Sequence, residues 1–152
     1  MRNLLVEIAY NGARYHGYQV QKNALTVTQV LQDAVESVLG RREDIVGCSR
    51  TDAGVHARSY FFHMKTDVGI PIEKFIQVMN RKLPPDIVVL GCREVPLDFH
   101  ARYDCKEKEY VYLIDNGLRK DPFRTGLAWH VPQPLDADLL HKAAQCLVGT
   151  HD

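Results

Sequence analysis

The amino-acid sequence predicts an α+β fold in the order β-α-β-β-α-β, a ferredoxin-like antiparallel sheet with its helices on one face. Two observations support this prediction. Apolar residues alternate with a period of two over residues 4–10 and 59–66, and they recur at helical spacing over residues 26–39 and 72–83. The chain of 152 residues is 45% hydrophobic, so it can bury the core that such a fold requires.

The first strand and the first helix follow from pattern and capping. Residues 4–10 alternate as a strand does. The spacing of apolar residues over residues 26–39 predicts a helix with one continuous apolar face. Thr26 and Gln29 form a capping box at its start. Gly40 stands where a C-terminal glycine belongs, and this position ends the helix.

The next two strands enclose the most informative segment of the chain. A second strand is expected from about residue 43 into the segment around Asp52, and a third over residues 59–66 with Tyr60, Phe62 and Met64 facing the core. The segment around Asp52 therefore lies on a connection between two strands.

A second helix and a fourth strand complete the predicted unit. Pro71 suits the first turn of the helix, whose apolar residues recur until Pro84 and Pro85 stop it. The apolar run at residues 87–95 predicts the fourth strand. Residues 1–97 are thus expected to form an N-terminal ferredoxin-like half.

Residues 98–152 are expected to begin a second, similar unit that is truncated. Residues 106–114 alternate as a strand, Asn116 and Gly117 predict a turn, and Asp136 caps a helix that ends before Gly149. We expect this trailing strand and helix to leave apolar surface uncovered, which favours self-association.

Composition excludes some classes of function and leaves others open. The formal net charge is zero, so an RNA-binding surface must be a local basic patch. The four cysteines are widely spaced and the histidines include no pair at metal-ligand spacing, which argues against a metal site or a redox dithiol. With no signal-peptide pattern or membrane-spanning apolar run, a cytoplasmic protein is expected.

Residues 47–57, Gly-Cys-Ser-Arg-Thr-Asp-Ala-Gly-Val-His-Ala, predict a catalytic carboxylate. Asp52 and Arg50 carry the only formal charges in the segment if His56 is neutral, and they lie among small residues. If the backbone is extended there, the two side chains share a face, and the guanidinium can hold the carboxylate ionised in a partly dry cleft. The alternative is ordinary, because an Asp before Ala-Gly is most often a turn or cap residue.

Other segments outweigh that alternative. Residues 47–57 resemble the motif around the catalytic aspartate of the tRNA pseudouridine synthase A family, and the resemblance extends over the whole chain in the right order. The matching segments are residues 10–12, 15–21, 26–29, 80–87, 99–102, 108–112 and 143–152. The chain departs from the family pattern at Asn11, Tyr18 and Ser49, where Asp, Trp and Gly are usual.

The resemblance implies a pseudouridine synthase fold and an isomerase that converts uridine to pseudouridine. Asp52 is then the catalytic residue, and Arg50 is its ion-pair partner and helps to hold the target nucleotide out of the stack. Tyr110 matches the tyrosine that stacks on the target base. Taken alone, Arg50 would be a surface arginine, and a half-buried position on a strand is the commoner fate of a tyrosine such as Tyr110.

Further contacts and partners follow from the same resemblance. His56, Arg58 and Arg102 are candidate contacts to RNA phosphate, although His56 is as well explained by a structural hydrogen bond. The expected partner is the anticodon stem-loop of tRNA, bound by a homodimer. The reaction gains and loses nothing overall, so it calls for no cofactor and no metal.

Two alternatives from other classes stay open at this stage. The ferredoxin-like order is shared with non-catalytic RNA-binding modules, but the third strand lacks their Lys/Arg-Gly-aromatic pattern. A small-molecule-binding protein of the same fold is the other alternative, which fold alone does not exclude.

Overall fold

In a computed structural model, residues 1–151 are described, and they form two compact units, Met1–Lys108 and Glu109–Asp152. The first unit includes residues 98–108, which the sequence assigns to the second half. They belong to it because Asn3 donates hydrogen bonds to the carbonyls of Pro96 and Phe99, and Ala101 is buried.

The first unit confirms the predicted order of elements. Its strands are β1 (Arg2–Tyr10), β2 (Ile45–Gly47), β3 (Ala57–Thr66) and β4 (Ile87–Val95), and its helices are α1 (Val27–Leu39) and α2 (Ile72–Lys82). The strands form one antiparallel sheet in the order β2-β3-β1-β4, which is the ferredoxin-like arrangement.

Both helices begin and end where the local chemistry directs. The Thr26 side chain accepts a hydrogen bond from the backbone N–H of Gln29, and Gly40 closes α1 with φ of 76°. Pro71 precedes α2, and Leu83 follows it in extended conformation just before the proline pair. These outcomes confirm the predicted limits to within one residue.

The core lies between the helices and one face of the sheet. Leu4, Val6 and Ile8 of β1 pack beside Phe62 and Met64 of β3, and all five side chains are buried. Because side chains alternate across a strand, the residues between them point to the opposite, helix-free face. That face carries two buried polar residues, Asn3 and His63.

Two predicted strands differ from the structure. The second strand, β2, is shorter than predicted, because the chain leaves the sheet after Gly47. Only glycine fits at this last position, since a Cβ atom there would lie 2.3 Å from the Tyr60 hydroxyl. The strand predicted at residues 106–114 is wrong: residues 106–113 have no regular secondary structure. Alternation alone does not make a strand, since its N–H and C=O groups need a neighbouring strand, and within residues 1–151 no strand pairs with residues 106–112.

The second unit contains the elements β5 (Ile114–Asp115), β6 (Trp129–His130) and α3 (Ala137–Ala144). The two short strands pair in parallel, and Asp136 caps α3 as predicted, accepting a hydrogen bond from the N–H of Leu139 at 3.0 Å. None of residues 109–151 is buried. This unit therefore has no core of its own.

No helix among residues 1–151 combines the length and the apolar character needed to cross a lipid bilayer.

Candidate active site

Asp52 lies on the loop between β2 and β3, as the sequence predicts. It opens a tight turn in which the N–H of Val55 donates to the Asp52 carbonyl at 3.3 Å. Gly54 has φ of 80°, a left-handed conformation that favours glycine. The turn leaves the Asp52 side chain exposed, so residues 1–151 do not form the partly dry cleft that the sequence predicts around this carboxylate.

The expected ion pair between Arg50 and Asp52 is also wrong. Within residues 1–151, no guanidinium nitrogen of Arg50 lies within 4.0 Å of a carboxylate oxygen. The prediction assumed an extended strand, in which side chains two residues apart share a face. At these residues the chain lies outside β2 and β3, so no strand geometry imposes a shared face.

The N-terminal loop, residues 11–18, braces the Asp52 loop through backbone hydrogen bonds. The N–H of Tyr18 donates to the Thr51 carbonyl at 3.0 Å, and the N–H of Gly54 donates to the Tyr15 carbonyl at 3.1 Å. Gly17, with φ of 81°, lets the two loops meet, because a Cβ atom there would lie 2.5 Å from the Thr51 carbonyl oxygen. The backbone is thus held on both sides of Asp52, at Thr51 and at Gly54.

His56 completes this brace. Its Nδ1 accepts a hydrogen bond from the N–H of Gly12 at 3.1 Å. Gly12 is as confined as Gly17, since a Cβ atom on it would lie 1.9 Å from the Val55 carbonyl oxygen. His56 therefore makes a structural hydrogen bond, which is the alternative to a contact with RNA that the sequence left open. A contact of His56 with RNA stays a prediction.

Three tyrosines beneath the loop support it from the core side. The ring of Tyr60 lies 4.4 Å from that of Tyr18 and 5.8 Å from that of Tyr10, centroid to centroid. The Tyr60 hydroxyl donates to the Ser49 carbonyl and accepts from the Ser49 N–H, while the Tyr10 hydroxyl and Thr51 Oγ1 lie 2.9 Å apart. Burial raises the pKa of Tyr60 well above its usual value, so its hydroxyl remains a donor.

Sequence reasoning missed this supporting role of the tyrosines. The alternation of residues in β3 marks Tyr60 as buried, but nothing in the sequence links its hydroxyl to Ser49, eleven residues earlier in the chain. A buried Tyr hydroxyl needs a partner, and that requirement is the one signal available before the structure.

Two of the predicted site arginines come together in one cavity. Arg50 and Arg102 both line an open cavity of about 290 Å³ beside β2, together with Tyr18, Thr28 and Gln32. Arg102 reaches it from residues 96–104, which cross the helix-free face of the sheet. Among residues 1–151, Asp52 does not line this cavity.

The site arginines also lack carboxylate partners. In the first unit Arg2, Arg14, Arg41 and Arg42 are ion-paired, whereas Arg50, Arg58 and Arg102 have no carboxylate oxygen within 4.0 Å in the described part of the chain; Arg81 and Arg93 share this property elsewhere on the unit. Two of these unpaired guanidinium groups, those of Arg50 and Arg102, line the same cavity.

The remaining two candidates lie apart in the chain. Arg58 is exposed near the start of β3. Tyr110 belongs to the second unit, where it is 69% exposed in a segment without regular secondary structure. Its stacking role stays a prediction.

Fold and loop together define a class of protein: a ferredoxin-like unit that presents one carboxylate on a tightly braced connection between β2 and β3. The profile of the tRNA pseudouridine synthase family matches residues 7–104, which include the whole Asp52 loop and the segment of Arg102. The chain belongs to this family.

Individual relatives agree with the family match. A protein named tRNA pseudouridine synthase A from Thermoanaerobacter sp. (strain X514) is 45% identical over 152 residues, which are 100% of this chain and 62% of that protein. Its namesake from Clostridium acetobutylicum is 41% identical over 152 residues, with the same coverage. The one from Staphylococcus aureus (strain MRSA252) is 44% identical over 149 residues, 98% of this chain and 56% of that protein. The chain thus spans about three fifths of the length of the curated relatives it matches.

Proposed function

We propose that the protein containing this chain is a tRNA-uridine isomerase, a pseudouridine synthase that acts on the anticodon stem-loop of tRNA. One observation carries the proposal most directly. The loop of Asp52 is braced by backbone hydrogen bonds and by buried tyrosines, and it lies inside the segment that matches the family. So much rigid support for an exposed carboxylate suits a group that must meet a substrate in one fixed geometry.

The chemistry assigned to the site needs one ionised carboxylate. Pseudouridine formation breaks the bond between ribose and a uracil nitrogen, turns the base, and rejoins it to ribose through a carbon. Nothing is gained or lost overall, so the reaction consumes no cofactor. Asp52 is the proposed catalytic residue, and it acts by attacking the sugar, by attacking the base, or by abstracting a proton.

The arginines around the loop are the proposed RNA contacts. Arg50 and Arg102 share one cavity and lack carboxylate partners, which leaves both guanidinium groups available for phosphate. Arg50 also helps to hold the target nucleotide outside the helical stack, and Tyr110 stacks on its base. His56 supports the loop and is a further candidate contact, as is Arg58.

Dimerisation is a separate part of the proposal. Residues 109–151 contain no buried side chain but expose Tyr112, Leu118 and Phe123 at 85% or more. Large exposed apolar side chains in a unit without a core favour a partner surface. We infer that the working enzyme is a homodimer that binds tRNA.

Incubation of unmodified tRNA with the full-length protein tests the proposed activity. Mass spectrometry of the digested RNA is expected to find pseudouridine in fragments of the anticodon stem-loop. Binding of tRNA with no pseudouridine would favour the non-catalytic RNA-binding alternative. The absence of both binding and product would contradict the proposal altogether.

A further inference from the structure

Two polar side chains are buried on the helix-free face of the sheet and have no part in the proposed chemistry. Asn3 of β1 is 1% exposed and His63 of β3 is 5% exposed. They occupy the face opposite the core, because Leu4 and Phe62, their chain neighbours, point into the core. Polar groups at such depth require partners.

Their partners all lie in residues 96–104, which cross this face of the sheet. Asn3 Nδ2 donates to the carbonyls of Pro96 and Phe99 at 2.9 and 3.0 Å. His63 Nδ1 accepts a hydrogen bond from the N–H of Ala101 at 3.0 Å, and this bond is buried. The contact at His63 therefore fixes the backbone at the residue immediately before Arg102.

Aromatic contacts reinforce the same attachment. The His63 ring lies 6.2 Å from Phe99, edge to face, and 5.0 Å from His100, while His100 stacks on Tyr103 at 4.2 Å. Within the segment, the N–H of His100 donates to Asp104 Oδ2 at 2.7 Å. The segment is thus folded on itself and attached to the sheet at Asn3 and His63.

We propose that His63 is a positioning residue, whose neutral imidazole holds residues 96–104 on the sheet and thereby places Arg102 in the cavity that it shares with Arg50. The consequence for RNA rests on the proposed function, in which that cavity binds phosphate. Arg102 has no carboxylate partner among residues 1–151 to hold its side chain in place, so its location depends on the backbone attachment next to it.

The attachment depends on protonation, because Nδ1 accepts a hydrogen bond only when it carries no proton. Protonation would place two donors, Nδ1–H and the Ala101 N–H, opposite each other with no acceptor between them, so the hydrogen bond would be lost. Burial lowers the pKa of His63, and the nearby His100 and Lys65 lower it further, while Asp104 opposes them. The other charged or titratable groups on this face are Glu7 of β1 and Arg93 of β4, and the crossing segment itself adds Asp98, Arg102 and Tyr103.

The direction of the pH effect follows from this lowered pKa. The unfolded or detached form binds a proton at a higher pH than the attached form does. The attachment is therefore complete above the ordinary histidine pKa of about 6.5. It weakens as the pH falls from there toward the lowered pKa of His63.

Two substitutions at His63 separate positioning from simple loss of structure. In His63→Asn, the amide oxygen occupies the place of Nδ1 along the side chain and cannot be protonated in this pH range. In His63→Leu, the acceptor is absent at every pH. His141→Asn is the matched control, since His141 is exposed on α3 of the other unit.

The experiment measures the hydrogen-exchange protection factor of the Ala101 amide and the affinity for unmodified tRNA from pH 7.5 down to about 5. In the wild type and in the control His141→Asn, acidification should lower the protection of the Ala101 amide about fivefold or more, with a parallel loss of affinity for tRNA. His63→Asn should keep both values nearly constant with pH, and His63→Leu should have low values throughout.

The possible results separate this inference from the proposed function. The same pH dependence in His63→Asn as in the wild type, or normal Ala101 protection in a folded His63→Leu, would overturn the positioning role. If the protection behaves as expected but the wild type does not bind tRNA, the attachment through His63 is supported and the proposed function fails. Should His63→Leu not fold, the comparison of wild type with His63→Asn decides alone.

Discussion

At the scale of single residues, the site depends on one carboxylate and on the groups that hold its loop. Asp52 is exposed, and Tyr60, His56 and Gly54 keep the loop in one conformation through hydrogen bonds or backbone geometry. The carboxylate is therefore accessible to solvent, while the position of its loop is fixed by the surrounding residues. Substitution of the carboxylate and substitution of its support should have different effects.

Replacement of Asp52 by Asn should abolish isomerisation and leave tRNA affinity within a few-fold. The amide preserves the shape of the side chain but removes the negative charge needed for bond breaking. Single-turnover formation of pseudouridine and tRNA binding by the full-length protein are the two measurements. Asp44→Asn, an exposed aspartate before β2, is the control and should be fully active. Measurable single-turnover product from Asp52→Asn would remove this residue from its central role.

Replacement of Tyr60 by Phe should destabilise the first unit by about 1–3 kcal/mol, because the Ser49 N–H and C=O both lose the hydroxyl as a partner. Urea denaturation of the variant measures this change. Tyr112→Phe is the control, since Tyr112 is 89% exposed, and it should change stability by less than about 0.5 kcal/mol. Equal stability of the two variants would show that the Tyr60 hydroxyl does not support the loop.

At the scale of elements, the site is a meeting of two loops above the sheet. The N-terminal loop begins at the end of the central strand β1, and the Asp52 loop ends at the start of the central strand β3, so the middle of the sheet fixes one end of each loop. The start of helix α1 is hydrogen-bonded to the first of these loops, since the N–H groups of Val27 and Thr28 donate to the carbonyls of Gly17 and Tyr18. The brace is therefore continuous from the sheet to the helix.

Two glycines with nearly the same backbone conformation test this contact between the loops. Gly17 and Gly40 have φ of 81° and 76°, but a Cβ atom at Gly17 would lie 2.5 Å from the Thr51 carbonyl oxygen, whereas at Gly40 it would meet nothing within 4 Å. Gly40→Ala should cost about 1–2 kcal/mol for the left-handed conformation alone. Gly17→Ala should cost clearly more and should also lower isomerase activity, as thermal melts and product assays of both variants will reveal. Similar losses for the two variants would mean that the loops are not in close contact.

At the scale of the whole molecule, the two units differ in kind. Residues 1–108 contain the core between the helices and the sheet, whereas none of residues 109–151 is buried. Apolar side chains without a core are stabilised only by association with other surfaces. The second unit is therefore the part of this chain most dependent on a partner surface.

A polypeptide of residues 1–152 should accordingly self-associate and have negligible pseudouridine synthase activity. Light scattering over a range of concentrations measures the association, and residues 1–108 alone are the control that should remain monomeric, because they contain the core. A compact monomer of residues 1–152 that modifies tRNA at a normal rate would contradict this prediction.

Much of the first unit was predictable because its signals are local. Caps at Thr26 and Gly40, the prolines around α2 and the alternation of β1 and β3 act over a few residues, and the structure confirms each of them. The strand predicted at residues 106–114 failed for the complementary reason. Its alternation is local, but a strand needs the hydrogen bonds of a distant neighbour.

Local patterns in the sequence were enough to predict the order of elements in residues 1–97, the place of Asp52 on a strand-to-strand loop, and the residue types from which the site is made. Which of these residues meet was settled by long-range packing. It separated Arg50 from Asp52, joined Arg50 to Arg102 in one cavity, and used His56 and His63 as hydrogen-bond acceptors for distant backbone groups. The physical reason is that each of these contacts joins residues 38 to 52 positions apart, a separation over which no periodicity or capping rule carries information.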